Sequence, residues 1–78
     1  MTTLARLDEV IREVFDDPDM VLTDATTARD VPGWDSLAHV NLMFSIESEF
    51  GIAFSSAELS RLQDVGELRR VVVAKAGA

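Results

Sequence analysis

GWDSLAHVNLMFSIESEF, residues 33–50, is the stretch whose reading decides the fold. Pro32 and Gly33 end any preceding helix, because proline removes a backbone donor and glycine favours turns. Leu37, Val40, Leu42, Met43, Phe44, Ile46 and Phe50 then recur at mostly three- and four-residue steps, which predicts a helix over 36–50. Asp35 is a good N-cap for it, since its carboxylate can accept from an unpaired amide of the first turn. Gly51 suits the C-terminal stop. Ser36 therefore takes the first helical position, with its hydroxyl facing water beside free amides and the positive end of the helix dipole. A phosphate ester there would be well placed electrostatically.

Upstream, Thr2 or Thr3 can cap a first helix reaching Phe15 or Asp16. Its inner stripe is Leu4, Leu7, Val10, Ile11, Val14 and Phe15. Arg6, Asp8, Glu9, Arg12 and Glu13 form the other face, with Asp8 and Arg12 spaced as an i,i+4 ion pair. Residues 16–34 read as a long loop, and long loops in small domains are usually functional or anchored. Asp17-Pro18-Asp19 is a turn signal, and Val21, Leu22, Ala25 and Val31 are the expected anchors beneath the loop. Trp34 reads as a wedge packing the loop onto the helices. Asp16, Asp17, Asp19 and Asp24 lack the glycine and closing glutamate of a helix–loop–helix calcium site, so no metal site is expected.

Downstream, Ile52 and Phe54 lie in a short connection, and Ser55 with Glu58 forms a capping box. That box should start a helix of two turns through Leu59 and Leu62. Asp64-Val65-Gly66-Glu67 repeats the device before a last helix over 65–76. Val65, Leu68, Val71 and Val72 face inward there, with Arg69, Arg70 and Lys75 outside. No strand pattern competes. Helices of this length are marginal alone, so the expected fold is all-α: a small bundle of three main helices plus a short extra one, with a long loop between the first two.

Seventy-eight residues make one small domain, 1–78, with a modest core. There is no cysteine, which excludes disulfides, thiolate metal sites and a cysteine nucleophile. Net charge is −7, which argues against nucleic acid as a partner. The charge is uneven: −6 over residues 1–35, −2 over 36–54 and +1 over 55–78. An acidic front half suits partners with basic docking faces. No apolar run is long enough to span a bilayer, so a cytoplasmic monomer with no membrane partner is expected.

Ser36 and His39 are i,i+3 neighbours, the minimum for a nucleophile and a base. A serine hydrolase also needs an acid to orient the base and an oxyanion hole, and Trp34-Asp35-Ser36-Leu37-Ala38 lacks the glycines of a nucleophile elbow. Residue spacing alone leaves two other readings open. Ser36 could be an exposed attachment point on a carrier, or a plain first-turn residue in a helical interaction module with no prosthetic group.

Asp35-Ser36-Leu37, followed by a helix ending in Glu49-Phe50-Gly51-Ile52, resembles the attachment motif of acyl carrier and peptidyl carrier proteins. The resemblance extends over roughly Leu4 to Ala74. It implies a 4'-phosphopantetheine arm on Ser36, added from coenzyme A by a phosphopantetheinyl transferase. Acyl or aminoacyl groups would ride on the arm as thioesters, and since the chain has no cysteine the thiol must come from the arm. The chain itself would be a substrate of partner enzymes and not an enzyme. In that reading Asp35 and Leu37 serve transferase recognition. Ala38 and Phe44, on the outer face of the helix, are expected on the partner surface, Phe44 because it is offset from the Val40–Met43–Phe50 stripe, and His39 is expected to face solvent near it. Ile46, Phe54, Leu59, Leu62 and Leu68 would line an acyl-chain site, although each is equally an ordinary core residue. The implied partners are an acyl- or aminoacyl-loading enzyme and ketosynthase, condensation or acyltransferase domains. Carriers of fatty acid synthesis usually place several carboxylates along the outer face of the second helix. This chain has Ala38, His39, Asn41, Ser45 and Ser48 there, with only Glu47 and Glu49 charged. It is more similar to stand-alone carriers of polyketide and nonribosomal peptide pathways, with fatty acid synthesis as the alternative.

Overall fold

A computed structural model describes residues 2–77. Four α-helices follow in order: α1 (Thr3–Val14), α2 (Ser36–Phe50), α3 (Ser56–Leu59) and α4 (Val65–Ala76), with one 3₁₀ turn at Ala28–Asp30 inside the long loop. Thr2 caps α1, its hydroxyl accepting from the Ala5 amide at 3.1 Å. α1 stops short of Asp16 because Asp16 adopts the left-handed conformation, φ 52°, which aspartate tolerates better than most residues. The amides of Asp16 and Asp17 then close back onto the carbonyls of Glu13 and Arg12 at 3.2 and 3.0 Å.

The core sits where α1, α2 and α4 meet. Leu7, Val10 and Ile11 face Leu42, Met43 and Ile46 of α2 and Val65, Leu68 and Val72 of α4, and Leu22 reaches in from the loop. Each such side chain contributes about 1.5–3 kcal/mol on burial. Among the described residues no helix is long and apolar enough to cross a membrane.

Several expectations about side chains are corrected. Asp8 does not pair with Arg12. Its carboxylate accepts from Arg69 of α4 at 2.9 Å, while Arg12 Nε donates to the Met20 carbonyl at 2.9 Å, satisfying a loop group that no helix can. Arg69 is accordingly not an outward residue. Its guanidinium also reaches Asp24 at 2.8 Å and the Leu22 carbonyl at 3.3 Å, joining α1, the loop and α4. Burial alone would lower the Arg69 pKa, but the hydrogen bonds that the guanidinium donates to Asp24 and Asp8 outweigh it and raise the value. Of the four expected loop anchors only Leu22 and Val31 are buried; Val21 is 80% exposed and Ala25 is exposed as well. Leu22 is the member of the Val21–Leu22 pair that turns inward, and Met20 joins it against the core. On α4, Val71 is only half-buried.

α3 is one turn long and not two. The Ser60 hydroxyl donates to the carbonyls of Ser56 and Ala57 at 3.0 Å each, an alternative to continuing the helix. Leu62 falls beyond the helix and packs against the core from the following connection. The second capping device is only half formed. Asp64 accepts from the Glu67 amide at 2.8 Å, but the Glu67 carboxylate turns to Arg70. The loop supplies the rest: the amides of Val65 and Gly66, which have no partner within α4, donate to the carbonyls of Thr26 at 2.8 Å and Asp24 at 2.9 Å.

That junction generates a prediction. A Cβ added at Gly66 would stand 2.9 Å from the Asp24 carbonyl oxygen and 3.0 Å from its Cβ. Gly66→Ala should destabilise the fold by about 1–3 kcal/mol, although alanine is the better helix former. Urea unfolding measures it; a stabilised variant would mean that loop and α4 are not in close contact.

Candidate functional site

The head of α2 is built by a turn. The Trp34 amide donates to the Val31 carbonyl at 3.2 Å and the Asp35 amide to the Gly33 carbonyl at 3.0 Å. Gly33 carries φ +86°, a conformation that glycine adopts without penalty. Asp35 arrives extended and caps the helix, its carboxylate accepting from the Ala38 amide at 2.8 Å. Ser36 is therefore the first helical residue, and it is exposed. None of the side-chain hydrogen bonds among the described residues uses its hydroxyl.

Trp34 lies over the loop end as a wedge. Its ring stands 5.2 Å from Phe15 and packs against the core. Its indole Nε1–H donates to His39 Nδ1 at 3.1 Å, with the two rings stacked at 26°. This corrects the expectation of a solvent-facing His39: the residue is half-buried, and one ring nitrogen is occupied. A hydrolytic Ser36–His39 pair gains nothing from this arrangement. The partner on Nδ1 is a donor, where an orienting acceptor would be required of a general base.

Between α2 and α3 runs an open groove of about 550 Å³, starting at His39, one helical turn from Ser36. Val40, Met43 and Phe44 form one wall; Ser56, Leu59 and Ser60 form the other. Of the five residues expected to line an acyl site, Leu59 borders this groove, 41% exposed. Ile46 and Leu68 are core, at 0% and 2% exposure, while Phe54 and Leu62 pack beneath. Val40 is 49% exposed. α2 has two apolar stripes. Leu42, Met43 and Ile46 turn inward; Leu37, Val40 and Phe44, at three- and four-residue spacing of their own, turn out. That second periodicity is visible in the sequence and is the signal for the groove. Ala38 is half-buried and Phe44 is 67% exposed.

Neither charge on α2 is free. Glu47 accepts from the Phe54 amide at 2.9 Å, and Glu49 is held by Arg6, whose Nε donates to it at 2.8 Å. Arg6 also reaches Glu9 at 3.0 Å and Glu13 at 3.1 Å. The Glu49 hydrogen bond, foremost among these contacts, raises the Arg6 pKa. A second, small cavity of about 40 Å³ lies behind His39, between Trp34, Ala28, Met43, Leu62, Gln63, Asp64 and Leu68. Among the described residues no group of three or more His, Asp or Glu could hold a metal ion.

No protein-family model matches the chain, and no curated protein sequence matches it. Among solved structures it is similar to a holo acyl carrier protein from Geobacter metallireducens, determined in solution. The two are 45% identical, with a TM-score of 0.89, and the match covers 96% of this chain and 86% of that one. An exposed serine heading the second helix of an all-α bundle, at this level of identity, defines the class: the chain belongs to the acyl carrier protein family. It is a carrier and not an enzyme.

Within the groove's outer wall, Glu58 is tied both to its own helix start and to α4. The Ser55 amide donates to Glu58 at 2.8 Å, the Glu58 amide donates to the Ser55 hydroxyl at 3.2 Å, and Lys75 of α4 reaches Glu58 at 3.0 Å. The Ser55 amide, and after it Lys75, hold the Glu58 carboxyl below its usual range. A lowered value means that the stabilisation is fully present above the ordinary carboxylate pKa, about 4.3, and is lost as pH falls through the lower folded value. Glu58→Gln should therefore melt below wild type at neutral pH, and the gap should close on acidification. Thermal melts followed by circular dichroism test this; a gap constant with pH would contradict it.

Proposed function

We propose that Ser36 carries a 4'-phosphopantetheine arm and that residues 1–78 act as one carrier domain, presenting tethered intermediates to separate enzymes. The observation that carries this reading is the exposed, unengaged Ser36 hydroxyl at the head of α2 in a member of the acyl carrier protein family. The residues present fit the group. Asp35 takes the Ala38 amide and so leaves Ser36 free, the positive end of the α2 dipole favours the phosphodiester, and the apolar groove opens one turn away. Bound to Ser36, the arm supplies the thiol on which acyl or aminoacyl groups are held as thioesters. The chain's own part is to fix the attachment point, shelter apolar cargo along Val40, Met43 and Leu59, and raise the local concentration of cargo at each partner.

The partners follow from the outer face of α2. Leu37, Val40 and Phe44 are 71%, 49% and 67% exposed, while Glu47 and Glu49 are engaged within the chain. A face of this kind suits apolar docking more than capture by a strongly basic surface. We read this as a cytoplasmic carrier of polyketide or nonribosomal peptide biosynthesis. Its partners are a phosphopantetheinyl transferase, a loading enzyme and ketosynthase, condensation or acyltransferase domains. Asp35 and Leu37 flank the modified residue and contribute to transferase recognition.

Incubation with coenzyme A and a broad-specificity transferase, followed by intact mass measurement, should add one phosphopantetheine to the wild type and none to Ser36→Ala. No gain, or an equal gain in the variant, would overturn the reading. Phe44→Ser, at an exposed position, should change stability by no more than about 0.5 kcal/mol yet slow loading of the modified carrier, chiefly through a higher KM. Unchanged loading kinetics would remove Phe44 from the partner face.

A further inference from the structure

We propose that the Trp34–His39 hydrogen bond is a proton-operated latch between the long loop and the helix that begins at Ser36, closed when His39 is neutral and open when it is protonated. The chemistry of the pair dictates the sense of the switch. An indole N–H can only donate, so the 3.1 Å contact to His39 Nδ1 requires a lone pair on that nitrogen. The neutral ring then carries its proton on Nε2. A second proton lands on Nδ1, directly against the indole N–H, and two donors cannot share one bond.

The surroundings give the open state somewhere to go. His39 borders both the groove and the small cavity behind it. The ionisable groups facing it there are Glu47, on its own helix, and Asp64, the cap of α4. The cap Asp35 lies one turn before it. Once protonated, the ring turns from Trp34 toward one of these carboxylates. What is released matters because of where it sits. Trp34 directly precedes the Asp35 cap, and its remaining ties are the Phe15 ring at 5.2 Å, core packing and the hydrogen bond that its amide donates to the Val31 carbonyl. Unlatching frees the loop end that sets the approach to Ser36, and it removes one wall of the small cavity. The latch concerns the same end of α2 as the proposed attachment but does not rest on it.

The chain holds one tryptophan and one histidine, so each gives a single side-chain signal in NMR. In the unmodified protein, titrated from about pH 8 to about pH 5, the indole proton should shift upfield and exchange faster with water. Both changes should share the midpoint of the His39 imidazole. At the neutral end the imidazole nitrogen shifts should report the Nε2–H tautomer. His39→Gln should abolish the pH-dependent movement. Trp34→Phe, which keeps an aromatic ring but removes the donor, should release the tautomer preference and serves if the glutamine variant does not fold. The proposal is overturned by an indole signal that stays still while His39 titrates, by the same movement in His39→Gln, or by an Nδ1–H tautomer. It fails equally if His39 does not titrate in that range, or if Trp34→Phe leaves the tautomer unchanged.

Discussion

The availability of Ser36 depends on a neighbouring carboxylate taking the capping role. Serine is itself a favoured N-cap, and in that position its hydroxyl would be consumed by a first-turn amide. Here Asp35 accepts from the Ala38 amide at 2.8 Å and displaces Ser36 by one position, to where no backbone group claims the side chain. The turn upstream makes this possible. Gly33 at φ +86° reverses the chain, and Trp34 pins it to Phe15 and the core, so that Asp35 enters extended and in register. Glycine, tryptophan, aspartate and serine in succession thus act as one device: a turn, an anchor, a cap and a presented hydroxyl.

A second constraint follows from the size of the bundle. Three main helices can bury one stripe each, and α2 carries two. The inner one, Leu42, Met43 and Ile46, is spent on the core. The outer one has only the single turn of α3 beside it, which covers it in part and leaves the groove. Exposed apolar side chains in a row are a solubility hazard, and the net charge of −7 offsets it. Glu47 at the groove and Glu58 on α3 are committed to structural tasks, Glu47 to the Phe54 amide and Glu58 to Ser55 and Lys75.

Local signals were legible in the sequence wherever the partner lies within one helical turn. The Thr2, Asp35 and Ser55 caps, the Gly51 stop and the bounds of α2 follow from residue type and spacing, and all are present. Contacts across the chain were not legible. Nothing in the spacing of Asp8 and Arg12 reveals that Arg69, on the last helix, would take Asp8 and leave Arg12 for a loop carbonyl. The same limit misplaced the groove lining. Position in the sequence cannot say which of two apolar stripes on α2 faces α1, so Ile46 could be read both as lining and as core, and it is core. His39 was misjudged because a polar residue on a helix reads as exposed until an indole donor is found five residues earlier.

The distribution of anchoring tells which parts of the site can move. The loop and the start of α4 are joined by two backbone hydrogen bonds and by Arg69. α1 and α2 share the core and are also joined by Arg6 and Glu49. α3 has no buried side chain of its own. It is held by its capping box, by Lys75 and by the Glu47–Phe54 bond on the segment leading to it. Elements with few buried apolar contacts open at the lowest free energy, so the wall carrying Leu59 is the part of the groove that yields first. The head of α2, held by the Asp35 cap and, while the Trp34–His39 bond is closed, by the Trp34 wedge, stays in place. A fixed Ser36 beside an adjustable groove suits the proposed arm, because cargo of different sizes would then hang from one position.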